Sequence, residues 1–180
     1  VDALNDAADE HWVFGYGSLM WRPDFPYVEH SHARVHGYHR ALCVYSHIHR
    51  GVPDQPGLVL GLDRGGACRG VAFRVEASDW PDTLTYLRVR EQGTGVYLET
   101  RLALTLADGR RRAGIAYVVD RKHRQYAGRL DTAEMVRLVR QGRGQSGANC
   151  EYVLNTWAHL TEMGVHDAPL AALARLLSPG

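Results

Sequence analysis

A carboxyl group serves as a proton carrier near neutral pH only where its surroundings disfavour its charge, and Glu91 has two such reasons written into its neighbourhood. Leu84, Leu87 and Glu91 stand at i, i+3 and i+7 in the run TLTYLRVRE, so on a helix the carboxylate falls on the face the leucines bury. It also falls at the C-terminal end of that helix, where the dipole opposes an anion. Both effects raise a carboxyl pKa. The competing reading is an ordinary salt bridge to Arg88, Arg90 or a strand arginine. A second chemical segment is FGYGSLMW, Phe14 to Trp21. Gly15 and Gly17 flank Tyr16 directly after an apolar run, so the N–H groups of Gly17, Ser18 and Leu19 can converge on a carboxylate or an oxyanion. The spacing is neither a dinucleotide fingerprint, whose last glycine is Met20 here, nor a P-loop, which needs a following GK[ST]. A plain glycine turn is the competing reading there.

Other residues are less specific. His49 to Gly57, HRGVPDQPG, is a loop stiffened by two prolines, in which Arg50 can hold a carboxylate or the segment can simply connect strands. Tyr97 opens the strand after Glu91, and Tyr152 lies early in a later helix; each suits a pocket wall or ordinary packing. Six of the ten histidines fall between His30 and His49, four of them in two H-x-H pairs, yet no Cys or acidic triad completes a ligand set. Solvated histidines are therefore expected and no metal is required. Arg110 to Arg112 and the cluster Arg121 to Arg124 read as solvated loop tips. Cys43, Cys68 and Cys150 form no CxxC and have no marked partner, so they are expected to be reduced packing residues in a cytoplasmic protein.

Several elements must position these groups. Trp12–Gly17, Tyr38–Tyr45, Leu58–Leu62, Cys68–Val75, Val96–Leu106 and Ile115–Val119 read as strands. Gly65-Gly66 and Asp108-Gly109 are expected to turn two antiparallel hairpins. Ser78 or Asp79 caps the helix that carries Glu91, with Pro81 in its first turn and Gly93 ending it. Asp131 and Glu134 form a D-x-x-E box opening a helix to about Gln141. Asn149 is expected to cap a second late helix, with Val153, Trp157 and Leu160 on one face and Gly164 at its end. Asp167 caps a third, whose buried stripe is Leu170, Leu173 and Leu177. Strands first and helices last is α+β, with five or six strands wrapping one core.

The 180 residues, 45% hydrophobic and 23% charged, suit one domain that buries roughly 70% of its unfolded surface without metal or disulfides. That domain is expected over 12–180, after a disordered or tag-like tail at 1–11, which is polar and has no apolar core of a signal peptide. The chain starts with Val, which leaves a trimmed start open. A net charge of +1 gives no field for gripping nucleic acid or an acidic membrane, and no apolar run is long enough to span one. The expected partner is a small molecule.

WVFGYGSLMW, RGVPDQPG, YLRVREQGTGVYLET and GANCEYV, in this order, resemble the ChaC family of γ-glutamylcyclotransferases from about Trp12 to the last helix. YGSL followed about seventy residues later by a glutamate at a helix end is a specific pairing. The resemblance implies a compact, mostly antiparallel β-barrel with flanking helices, and cofactor-independent cleavage of glutathione into 5-oxoproline and cysteinylglycine. It implies that Tyr16, Gly17, Ser18 and Leu19 cradle the γ-glutamyl group and that Glu91 is catalytic, with Arg50, Tyr97 and Tyr152 as substrate-binding positions. Where many members have Gly-Tyr-Arg after the glutamate, this chain has Gly95-Val96-Tyr97-Leu98. Ring closure on another γ-glutamyl amine or amino acid, and a non-catalytic sensor of small carboxylates, are the alternative functions.

Overall fold

In the computed structural model, which describes residues 10–179, five strands build the core: β1 (His11–Gly15), β2 (Glu29–Ser46), β3 (Gly57–Val75), β4 (Tyr97–Leu106) and β5 (Arg111–Val119). The apolar run Trp12-Val13-Phe14 explains the placement of β1, in which all three are buried. It pairs antiparallel with β3, from His11 opposite Val75 to Gly15 opposite Val71, and parallel with β5 at Val13 and Ile115. The strand order β1-β3-β2-β4-β5 closes into a barrel, which leaves no free edge. The expected α+β barrel is therefore present, with one parallel seam.

The Asp108-Gly109 hairpin forms as expected: β4 and β5 pair from Tyr97 opposite Val119 to Thr105 opposite Arg111, and Gly109 has φ 88°. The Gly65-Gly66 hairpin does not form. Both glycines have positive φ, 103° and 68°, but they lie inside the continuous strand β3, which stays hydrogen-bonded between β1 and β2. A Gly-Gly pair can reverse a chain or bend a long strand, and here the neighbour to be followed is β2, whose His39 Nδ1 lies 2.9 Å from the Gly65 carbonyl oxygen. β2 is far longer than expected because the histidine-rich stretch belongs to it. His30, His32 and His36 are exposed, while Ala33 and Val35 between them are buried, so these histidines form a solvated face of a strand.

Helix α1 (Trp80–Glu91) follows β3. Asp79 occupies its N-cap position without a side-chain cap bond, so the expected cap contributes only Pro81 in the first turn. Helices α2 (Thr132–Gln141), α3 (Asn149–Glu162) and α4 (Ala168–Leu177) close the chain, after and around a short pair of strands, β6 (Arg143–Gly144) and β7 (Gly147–Ala148). Asp131 accepts from the Glu134 N–H at 2.8 Å and Asp167 from the Leu170 N–H at 2.9 Å, as their spacing predicts. Asn149 is not a cap. Ala148 takes that position, and the Asn149 amide is spent on the backbone of Leu58 instead.

The chain divides into two compact units: residues up to Arg40 with Leu62–Asp120, and Ala41–Gly61 with the residues from Arg121 on. His11 lies in β1, and Glu10 accepts from Trp12 Nε1 and Arg112 Nε. Residues 1–9 of the expected tail lie outside the described residues. Arg110 and Arg112 are engaged rather than free: Arg110 binds Asp108 and Glu29, and Arg112 binds Glu10. Cys43, Cys68 and Cys150 are free thiols, the first two buried. Among the described residues no helix is long and apolar enough to cross a membrane, and no group of three or more His, Cys, Asp or Glu is arranged to hold a metal ion.

Candidate active site

The glycine segment leaves the barrel at Gly15 and tightens into a single 3-10 turn, Ser18–Met20. Met20 N–H donates to the Gly17 carbonyl at 2.9 Å and Arg22 N–H to the Ser18 carbonyl at 2.8 Å. The N–H groups of Ser18 and Leu19, which open the turn, have no acceptor within it. Tyr16 is buried and locked at both ends. Its hydroxyl donates to the Tyr117 carbonyl at 3.0 Å, and its own carbonyl accepts from Arg40 Nε at 2.6 Å. Arg40, itself buried, also donates to the Arg69 carbonyl at 2.6 Å. Because C=O and N–H point opposite ways across a trans peptide, gripping the Tyr16 carbonyl directs the Gly17 N–H away from Arg40. Leu19 is buried beneath the turn.

Glu91 ends α1, one turn beyond the fully buried Leu87, and its side chain is only 18% exposed. Burial pushes its pKa up from the ordinary carboxylate value, and the neighbouring Arg90 opposes this without cancelling it. The salt-bridge reading thus holds in part: Arg90 Nε lies 3.4 Å from Glu91 Oε1, whereas Arg88 is turned to Glu99, which it grips with two bonds of 2.9 Å. The Tyr117 hydroxyl donates to Glu99 Oε2 at 3.0 Å. The Arg88 fork, with help from Tyr117, holds the Glu99 pKa down despite partial burial. Tyr117 is pushed up, first by burial and then by Glu99, with Glu91 adding a smaller push. Two carboxyls around one phenol therefore have their proton affinities driven apart, Glu99 toward the anion and Glu91 toward the acid. That separation is how a site divides fixed charge from transferable proton.

Arg90 joins the two expected parts of the site. It donates to Ser18 Oγ at 2.9 Å and to the Arg22 carbonyl at 2.8 Å while it stands beside Glu91. Tyr97 is half-buried at the start of β4, and its carbonyl accepts from Gln92, the residue after Glu91, at 3.3 Å. Arg50 and Tyr152 belong to the second unit and meet each other there, the guanidinium carbon 5.5 Å from the ring centroid. Arg50 Nη1 donates to the Ala148 carbonyl at 3.2 Å, and the Tyr152 hydroxyl accepts from the Leu60 N–H at 3.0 Å. Sequence reasoning does not single out Arg40, Glu99 or Tyr117, and it names Arg90 only as one possible salt-bridge partner of Glu91. Only Arg90 carries a signal, its place next to Glu91.

A glycine loop off the first strand of a closed barrel is thus linked through Arg90 to a mostly buried carboxyl at a helix end, a pairing suited to acid–base chemistry on a small molecule. The chain belongs to the ChaC-like protein family, whose model matches residues 11–178. It is similar to the glutathione-specific gamma-glutamylcyclotransferase of Escherichia coli (strain K12), 36% identical over 156 residues covering 87% of this chain and 68% of that one. It is also similar to glutathione-specific gamma-glutamylcyclotransferase 1 of Homo sapiens, 35% identical over 168 residues, 90% of this chain and 76% of the other. A crystal structure of the yeast gamma-glutamylcyclotransferase specific to glutathione shares the fold, with a TM-score of 0.84 at 22% identity over 94% of this chain and 96% of that one.

Proposed function

We propose that this protein is a glutathione-specific γ-glutamylcyclotransferase with Glu91 as its proton shuttle. The observation that carries the reading is a mostly buried carboxyl of raised pKa, joined through Arg90 to the Tyr16–Leu19 loop. The α-amine of a γ-glutamyl peptide can reach its own γ-carbonyl, so the first task is to hold the folded conformer. Ser18 and the loop N–H groups bind the γ-glutamyl portion, and Tyr97 supplies a further contact to the substrate. Ionised Glu91 takes a proton from the α-ammonium, the freed amine attacks the γ-carbon to form the ring C–N bond as the carbonyl π electrons move onto oxygen, and the ring nitrogen's surplus proton passes to solvent. Loop N–H groups stabilise the oxyanion. The original amide C–N bond then breaks as Glu91 returns the proton to the departing cysteinyl nitrogen. The products are 5-oxoproline and cysteinylglycine. Free thiols at Cys43, Cys68 and Cys150 suit a reducing cytoplasmic setting.

Incubation of the purified protein with glutathione should yield the two products in equal amounts by mass spectrometry, and absence of 5-oxoproline would refute the assignment. Running a panel of γ-glutamyl amines and amino acids alongside distinguishes ring closure on those compounds. A pure carboxylate sensor would bind ligand and release no 5-oxoproline from any of them.

The loop's seat on β1 gives a sharper test. A Cβ on Gly15 would stand 2.9 Å from Leu19 Cβ and 3.2 Å from Met20 N, so Gly15→Ala must shift the turn. The variant should keep its circular dichroism spectrum yet lose roughly tenfold or more in kcat/KM, since misplacement by an ångström costs up to about a hundredfold. An unchanged kcat/KM would show that the turn does not hold substrate.

A further inference from the structure

Arg90 is the least explained charged group near the loop. Its Nη1 donates to the carbonyls of Arg22 and Pro23, at 2.8 and 3.2 Å, and to the Tyr86 hydroxyl at 2.9 Å. Its Nη2 donates to Ser18 Oγ at 2.9 Å. The remaining edge, Nε, faces Glu91 Oε1 at 3.4 Å, and the side chain is only 17% exposed. A guanidinium is flat and rigid, so groups on its different edges are held at a set separation from one another. A lysine, with one flexible ammonium, has no such geometry.

We infer that Arg90 is a positioning residue that sets the spacing between the Ser18–Pro23 loop and the Glu91 carboxyl, so that a γ-glutamyl group held by the loop meets the shuttle in register. This rests on the function proposed above. The device has a mechanical part, the fork on Ser18, Arg22 and Pro23, and an electrostatic part, the cation beside Glu91. The other charged or titratable groups around this pair are accounted for. Tyr117 faces Glu91 from β5, its phenol bound to Glu99 of β4. Arg88 of α1 is committed to Glu99, and Asp24 lies 3.8 Å from Arg90 Nη1 at a half-exposed position. Arg90 is therefore the cation whose removal should move the Glu91 titration, and the direction is upward because Arg90 lowers it.

Two variants separate the parts. Arg90→Gln removes fork and charge: KM for glutathione should rise on the order of tenfold to a hundredfold, and the ascending limb of the kcat/KM profile should move to higher pH. Arg90→Lys keeps the charge and loses the fork, so KM should rise while the limb stays near its wild-type position. A merely structural role would lower folded fraction and kcat in both variants and leave the limb in place. A carbon-13 carboxyl titration of Glu91 by NMR, with amide hydrogen exchange over residues 18–23, tests the same coupling without turnover. Arg90→Gln should raise the Glu91 midpoint and speed exchange in the loop. Should Arg90→Gln fail to fold, the exchange rates and KM of Arg90→Lys decide the mechanical part. If the wild type forms no 5-oxoproline, the functional reading falls while the NMR and exchange data still judge Arg90. An unmoved Glu91 midpoint together with unchanged loop exchange overturns the inference even in an active enzyme.

Discussion

Glu91→Gln should give a folded protein that binds glutathione in calorimetry with near wild-type affinity and turns it over at most about a hundredth as fast. The substitution preserves shape and removes only the transferable proton, and general acid–base catalysis contributes ~10²–10⁴. The same variant should be more stable than the wild type at neutral pH, which is the opposite of the usual mutational outcome. The sign follows from linkage: the folded state raises the Glu91 pKa above its ordinary 4.5, so the neutral acid is favoured on folding. The stability that this carboxyl contributes is fully present below that ordinary value. It is lost as pH rises through the folded pKa. Glutamine has no ionisation to oppose, so the difference in Tm between variant and wild type should grow as pH rises above the ordinary carboxylate value and level off once the raised folded-state pKa is passed. A flat difference, or a wild type that gains on the variant with rising pH, would mean that burial does not disfavour the Glu91 anion. Lost turnover combined with gained stability marks a residue kept for chemistry at a cost to the fold.

The inward face of Glu91 is legible before any coordinates, because helical periodicity is local and needs only Leu84 and Leu87 to define the buried side. Which arginine answers Glu91 is not legible. Arg88 and Arg90 lie on either side of Glu91's helical bearing, and the choice depends on Glu99 in β4 and Ser18 after β1, which are remote in sequence. The same limit explains Gly65-Gly66. Positive φ at two glycines is a correct local inference, yet whether it reverses the chain or bends it depends on β2 running alongside. β2 itself is hidden in sequence because His30, His32 and His36 occupy its solvent face and leave only Ala33 and Val35 as an apolar alternation. Local chemistry therefore singles out the loop and the acid as candidates, while the arginine that contacts both emerges only with tertiary pairing.

Asn149 shows that limit in a residue of the GANCEYV segment, and it carries the second large effect. Its side chain is fully buried in the second unit, where Oδ1 accepts from the Leu58 N–H at 2.7 Å and Nδ2 donates to the Leu58 carbonyl at 2.8 Å. An amide presents donor and acceptor side by side, so it pairs with both backbone groups of one residue as a neighbouring strand would. Leu58 is itself fully buried, and water is not at hand to replace the partner. Asn149→Ala should therefore leave two buried polar groups unsatisfied at about 1–3 kcal/mol each, placing the loss near 2–6 kcal/mol. At about 2–4 °C per kcal/mol for a chain of this size, Tm should fall by roughly 4–24 °C. Asn149→Asp separates the two bonds. The carboxylate still accepts from the N–H but sets an anion against the carbonyl, whereas the protonated acid restores a donor. Its deficit should be large at pH 7.5 and shrink on acidification relative to Asn149→Ala at the same pH, read from paired thermal melts. A pH-independent deficit in the aspartate variant, or an alanine variant within about 1 kcal/mol of wild type, would show that the Leu58 backbone finds other partners and that Asn149 does not hold this strand.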